Sequence, residues 1–494
     1  MGSIEILQPE YDVLIIGAGL SGCYALHRMQ KLNLKVRVLE TGSSVGGTWY
    51  WNRYAGARFD CESYSYGFFW CQEVLDEWKW SEHFAPHEDT ERYIKFICDK
   101  YQLWGNMQFN TRVSKAHWMT NDRRLLSDPT LPNIPGVHDF KGAAFHISRW
   151  PKDAASFEGK NVGIIGRVAK TAKRLTVFQR TPNWAIPLHN PEIGEEEMEA
   201  IGKAYPETLE QINTSRLSFL HQGSNESIWD ATPEEREAFW EYPYAQPGFG
   251  FWISNYKETQ VDRKANALVS EFVAKKIRQR VKDPWTADKR IPKTYGLFNR
   301  PKIRLVNLLE TPIERIEGNG VKTSQEDIKL DMLIYATGFP RVITGAFDAI
   351  DIRGIDSIRL RDKWTDGPQT YLGLTVHDFP NLFMSIGPHQ AHGNIPASIE
   401  YAVGWIADCI EYLQDHNITY LEAKERGVRE WTEHVHSLGE RLLSNEVDSW
   451  LTGVNKNVAG KQKRIIARCS GAAPDFRKQC NAVADSQYST LTLE

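Results

Sequence analysis

The sequence predicts an α/β fold with two dinucleotide-binding (Rossmann-like) domains, and three observations predict it. Asp12–Gly22 (DVLIIGAGLSG) is an apolar run that opens into G-x-G-x-x-G at Gly17, Gly19 and Gly22. Asn161–Gly166 (NVGIIG) is a second strand of the same type, and Leu175–Arg180 (LTVFQR) reads as its partner. Between the two units lies Phe140–Pro151 (FKGAAFHISRWP), a linker that sets a Phe, Gly, His, Trp and Pro in order. Two such units joined by such a linker suggest two cofactors facing one another.

The first unit is complete. Val13–Ile16 is a short β-branched run suited to a buried parallel strand. Gly17 permits a tight turn, Gly19 lets the backbone approach a pyrophosphate, and Gly22 lets the following helix pack closely on the strand. That helix, from Ser21, turns its N-terminal N–H groups to the phosphates. Val36–Glu40 (VRVLE) is the second strand. It ends in Glu40, about 20 residues after the turn, where a carboxylate can accept ribose hydroxyls.

The second unit is truncated. Gly163 and Gly166 are present, but Arg167–Arg174 (RVAKTAKR) runs straight into the next strand. Two parallel strands need a crossover of roughly 10–12 residues or more, and the glycine turn with most of its phosphate-binding helix is missing. Arg180 and Thr181 survive, and Arg180 stands where a guanidinium would grip an NADP 2′-phosphate.

Composition narrows the function. The 494 residues suffice for two or three domains with sizeable cores. Lys+Arg 59 against Asp+Glu 63 gives a net charge of -4, which argues against nucleic acid or an anionic membrane as partner. Membrane insertion is not expected, since no apolar run approaches the ~18 residues of a transmembrane helix. The seven cysteines are scattered without metal-ligand spacing. No metal is expected, and the cysteines read as reduced groups of a cytoplasmic protein.

The linker, F-x-G-x-x-x-H-x-x-x-W-P, resembles the fingerprint of Baeyer–Villiger monooxygenases, flavoenzymes that use NADPH and O2. Gly46–Asp60 (GGTWYWNRYAGARFD) resembles the family's second signature, with Ala55 where Pro is usual. The resemblance runs from Tyr11 to about Phe476, broken by the truncation after Gly166 and by a second contraction at Thr111–Pro135, where family members carry several strands between a T-R-V element and P-x-L-P-x-I-P-G. It implies FAD in the first site and NADP in the second. Thr48, Trp49, Tyr50, Trp51 and Tyr66 would line the flavin, although core packing is the plainer reading of Trp49 and Trp51. Arg58, Phe59 and Asp60 would lie between flavin and nicotinamide. His146 and Trp150 would belong to the hinge between domains, with His146 a coupler and not an acid or base.

Asp288–Pro292 (DKRIP) resembles the family's K-R-P segment, so Arg290 would stabilise the oxyanion beside the flavin, oriented by Asp60. A surface arginine in a charged loop is the plainer alternative. Asp331–Phe339 (DMLIYATGF) resembles the element that closes the FAD domain, which makes that domain discontinuous: residues 1–150 and 326–494. The NADP-binding domain, 151–325, is inserted between them and carries a helical excursion at about 190–275. Gly387–Pro396 leads into an amphipathic helix whose stripe is Ile399, Val403, Ile406, Ile410 and Leu413. Ser449-Trp450 resembles the mobile substrate loop, with Trp450 covering the pocket. The closing text looks most like fungal secondary-metabolism members that oxidise polyketide or terpenoid ketones. The resemblance implies insertion of one oxygen from O2 beside a ketone. The alternative is a crippled, non-enzymatic relative that binds FAD but is poorly reduced by NADPH. A third reading, an N- or S-oxygenating enzyme, is disfavoured by Trp150-Pro151.

Overall fold

The computed structural model describes residues 10–54, 56–118, 134–146, 150, 157–165, 174–179, 184, 186–248, 250–281, 283–284, 303–335, 347, 350–391, 393–448, 452–454 and 463–494. The first unit forms as its pattern predicts. β1 (Val13–Ile16), β2 (Val36–Leu39) and β3 (Met107–Gln108) form a parallel sheet in that order. The helix Leu20–Lys31 leaves the glycine turn and buries Cys23, Leu26 and Met29. It packs against the long helix Ile395–Asp415, so residues nearly 400 apart complete one core.

β1 departs from expectation. A buried parallel strand was predicted, yet Leu14 is 59% and Ile16 50% exposed, while Val13 and Ile15 pack inward. Among the described residues, the outer face of β1 has no covering layer. β4 (Lys115–His117), which follows Val113, pairs instead with β13 (Asp351–Arg353).

The second unit is a five-stranded parallel sheet in the order β5-β12-β6-β7-β8. Its strands are β5 (Ala143–His146), β6 (Asn161–Ile165), β7 (Arg174–Gln179), β8 (Ile303–Asn307) and β12 (Met332–Tyr335). The predicted linker is therefore partly strand: β5 forms the sheet edge, with His146 in register with Tyr335. Pairing of β6 with β7 runs from Asn161↔Arg174 to Ile165↔Phe178, although too few residues join them for a helical crossover. β9 (Ile313–Glu317), β10 (Gly320–Thr323) and β11 (Asp327–Lys329) make an antiparallel meander. β14 (Leu421–Ala423) and β15 (Leu491–Leu493) form a small ribbon.

The helical excursion is present, and it divides. Met198, Tyr205 and Ile212 share the core of the first unit. Trp240, Phe251, Val269, Phe272 and Val273 form a separate core of their own.

Candidate functional site

The glycine turn is built by close approach. Gly17 has φ +97, a left-handed conformation that favours glycine, and its N–H donates to Leu39 O at 2.9 Å. A Cβ on Gly22 would stand 1.9 Å from Gly17 O, so the helix can sit on the turn only with glycine there. Gly19 faces a second glycine, Gly47, across the turn, with Gly46 N–H donating to Ala18 O at 2.9 Å. The two signature glycines at 46 and 47 thus form the opposite wall of the cradle.

Glu40 is 5% exposed. Its Oε2 accepts from Ala18 N–H at 2.7 Å and its Oε1 from Gly42 N–H at 2.6 Å. The carboxylate ties the turn to the end of β2, and each oxygen keeps a lone pair for a hydroxyl. Positive φ at Gly17, the bare glycine walls and an acceptor at the strand end together fit the dinucleotide expected there.

The aromatic signature folds into one stack. Thr48–Trp51 is a single helical turn. Trp49 meets Phe59 at 5.7 Å and Tyr66 at 5.9 Å, both edge-on, while Phe59 and Tyr66 stack at 4.2 Å. Core packing is therefore what the structure shows for Trp49. Tyr50 is buried, its hydroxyl 2.8 Å from Ser43 Oγ, and Trp51 stands edge-on to it at 4.8 Å. Thr48 is exposed at the start of the turn.

Arg58 and Asp60 are not paired with one another. The Arg58 guanidinium donates to Glu82 Oε2 at 2.6 Å and to Phe84 O at 2.8 Å. Asp60 is exposed to solvent. The surrounding protein raises its carboxyl pKa by desolvation, and the charge of Glu62 raises it further. His146 is buried at the end of β5, and Trp150 lies 5.8 Å from both Phe145 and Phe157 under the five-stranded sheet. Both are set into the sheet's packing. Arg180, Thr181, Arg290 and Trp450 lie outside the described residues.

One residue of the Gly387–Pro396 segment and two that sequence reasoning missed lie close by. Asn394, fully buried, caps the helix Ile395–Asp415 by accepting from Ala397 N–H at 3.3 Å. Its Nδ2 also donates to Ser65 O at 2.6 Å. The Asn-Ile-Pro text is a readable helix start. Glu62 and His221 meet at 2.6 Å across 159 positions of chain, and nothing local announces them. They border a recess of about 580 Å³ that Tyr64, Phe239 and Tyr242 also line.

Among the described residues one cluster has metal-ligand chemistry, His377, Asp378 and Glu422. Its oxygens are already engaged, Asp378 Oδ2 by Lys363 Nζ at 2.6 Å and Glu422 Oε1 by Asp378 N–H at 2.7 Å.

Comparison with known proteins decides the family. The family described as NAD(P)-binding Rossmann-like domain matches residues 15–72. A Baeyer–Villiger monooxygenase of Pseudooceanicola batsensis is 31% identical, over 98% of this chain and 96% of its own. This chain belongs to the Baeyer–Villiger monooxygenase family. The 2-oxo-Δ3-4,5,5-trimethylcyclopentenylacetyl-CoA monooxygenase of Pseudomonas putida is 38% identical, over 98% of both chains. A crystal structure of OTEMO in complex with FAD and NADP superposes with TM-score 0.92 at 36% identity, covering 99% of this chain and 100% of that one.

The alignment to the Pseudomonas enzyme runs over 539 positions although this chain has 494 residues, so the relative carries segments that this monooxygenase lacks. These matches run along the whole chain and are to catalysts; the crippled reading finds no support in them. No helix among the described residues is long and apolar enough to cross a membrane.

Proposed function

We propose that this chain is an FAD-dependent monooxygenase that draws electrons from NADPH and inserts one atom of O2 beside the carbonyl of a small-molecule ketone. The products are an ester or lactone, water and NADP+. The observation that carries the reading is the intact unit of Gly17, Gly19, Gly22 and Glu40 in a chain of this family. FAD supplies the oxygen-activating chemistry when bound; this chain's residues hold and orient it.

Gly17 and Gly19 leave room for the pyrophosphate, and Glu40 accepts from the ribose. Thr48, Trp49, Tyr50, Trp51 and Tyr66 would line the flavin, and Arg58, Phe59 and Asp60 would lie between flavin and nicotinamide. Arg290 holds the negative charge that develops on oxygen, and Arg180 with Thr181 grips the 2′-phosphate of NADPH. Without a glycine turn after Gly166, that grip carries more of the NADPH binding, and the KM for NADPH is expected to be high.

His146 and Trp150 would belong to the hinge between residues 151–325 and the two parts of the FAD domain, 1–150 and 326–494, of which β5 and β12 join the five-stranded sheet of the second unit. Trp450 would cover the substrate pocket. Resemblance of the closing segment to fungal members supports a polyketide or terpenoid ketone as substrate. The test begins with the FAD-loaded chain, photoreduced without oxygen and then mixed with ¹⁸O2 and a cyclic ketone. A lactone carrying one ¹⁸O supports the reading. Hydrogen peroxide alone, with every ketone offered, overturns it.

A further inference from the structure

The segment Asn213–His221 leaves the helical excursion and crosses the first unit as a strap. Arg477 donates to Asn213 Oδ1 at 2.9 Å and to Ser218 Oγ at 2.8 Å. Ala473 N–H donates to Arg216 O at 2.7 Å. Leu217 O accepts from Asn394 N–H at 3.1 Å, and a Cβ on Gly393 would fall 1.5 Å from that same oxygen. The strap is thus seated on the very residues that cap the helix Ile395–Asp415.

It ends at His221, whose Nε2 meets Glu62 Oε1 at 2.6 Å. Glu62 is 5% exposed, and its other oxygen has no hydrogen-bond partner among the described residues. A buried oxygen left unpaired is costly, so stability alone is a poor reason for a carboxylate here.

Two glycines crowd the pair. A Cβ on Gly248, where φ is +84, would stand 3.0 Å from Glu62 Oε1, and one on Gly250 would stand 2.7 Å from the imidazole. Glu62 also organises its own loop: its carbonyl accepts from Ser65 N–H at 2.9 Å and from Ser65 Oγ at 2.8 Å. Ser65 O in turn receives Asn394 Nδ2. That loop begins at Asp60, two residues before Glu62.

We propose that Glu62 and His221 are a positioning pair that fixes the Asp60 loop, so that transfer of oxygen to the ketone depends on a residue of the helical strap. The proposal rests on the reading of Asp60 as part of the oxygen-transfer site. Two outcomes compete once reduced flavin meets O2. With the site in place, reduced flavin, O2 and ketone give oxidised flavin, ester and water. With the loop displaced, reduced flavin and O2 give oxidised flavin and hydrogen peroxide, and the ketone is untouched.

The experiment reads the ratio of lactone to peroxide from the photoreduced, FAD-loaded chain, with cyclohexanone as probe ketone. His221→Leu removes the donor and is expected to lower the ratio at least fivefold with FAD content unchanged. His221→Gln, whose amide can donate to Glu62, should stay within twofold of the natural chain. Should His221→Leu fail to fold, Gly250→Ala displaces the imidazole while leaving both partners chemically intact, and should lower the ratio likewise. An unchanged ratio in whichever of these two variants folds, or a His221→Gln chain that performs as poorly, overturns the proposal. If the natural chain itself yields peroxide alone, the functional reading fails, and this inference falls with it. If the natural chain makes lactone and the variants match it, only the positioning role is lost.

Discussion

The three glycines of the turn are separable by substitution, because each is required for a different reason. Gly22→Ala puts a methyl 1.9 Å from Gly17 O, where ordinary contact begins at 3.4 Å, and the obstacle is backbone that cannot rotate away. Overpacking of this kind costs about 1–3 kcal/mol, and the strand–helix joint of the apoprotein bears it. Gly17→Ala meets no atom within 4 Å, but its φ of +97 imposes about 1–2 kcal/mol of backbone strain on an L-residue. Gly19→Ala is the informative one. Its nearest neighbour is Gly47 Cα at 3.5 Å, an ordinary contact, so the apoprotein should lose less than about 0.5 kcal/mol. The new methyl occupies the space through which a pyrophosphate approaches, and FAD affinity should fall at least tenfold, about 1.4 kcal/mol. Denaturant unfolding of FAD-stripped protein measures the first quantity, and titration with FAD followed by flavin fluorescence the second. A Gly19→Ala apoprotein as unstable as Gly22→Ala, or one that binds FAD as the natural chain does, would refute the assignment of the cradle.

Arg180→Ala should raise the KM for NADPH far more than that for NADH; equal effects in steady-state kinetics would show that Arg180 makes no 2′-phosphate contact. Glu400 accepts from the Phe69 N–H, and burial pushes its pKa up from 4.5 to about 8. The folded state then holds a proton that the unfolded state releases above 4.5. Its stabilising contribution is complete below that pH and lost as pH rises to 8. Thermal unfolding of Glu400→Gln between pH 5 and 8 should show a flatter decline than the natural chain, and parallel curves would exclude the linkage. On the open face of β1, the double substitution Leu14→Thr, Ile16→Thr should leave FAD content unchanged and reduce aggregation measured by light scattering. Loss of fold would show that this face is covered.

Local pattern made the first unit legible. A β-branched run, three glycines and an acid at the next strand's end each have a local cause, and β1, its helix, β2 and Glu40 stand where those causes put them. The aromatic signature was legible as a motif but not as a role. Trp49, Phe59 and Tyr66 are apolar rings, and apolar rings near one another pack together whether or not a cofactor lies beyond them. The Glu62–His221 pair was not legible at all, because its partners belong to different elements and only the strap's path brings them together. Leu14 and Ile16 misled for a related reason. A β-branched strand reports that a sheet is wanted, while burial of its second face depends on which other segments the chain still carries.

The two contractions fall on opposite sides of the chemistry. One follows Val113, on the side of the first unit, where Leu14 and Ile16 are 59% and 50% exposed; full burial of a leucine or isoleucine contributes about 1.5–3 kcal/mol, so each forgoes about half of that. The other lies between β6 and β7 and takes the phosphate-binding turn, yet β6 and β7 keep five residues in register. Neither reaches Gly17, Glu40, Asp60 or the strap that ends at His221. The glycine turn and the loop that carries Glu62 are held by their own bonds, from Glu40 to Ala18 and Gly42 and from Glu62 to His221. On the proposed reading, the missing glycine turn after Gly166 loosens the hold on the electron donor, and the contraction after Val113 bears on the first sheet. An enzyme altered in this way should be limited by stability and by NADPH binding before it is limited by oxygen transfer.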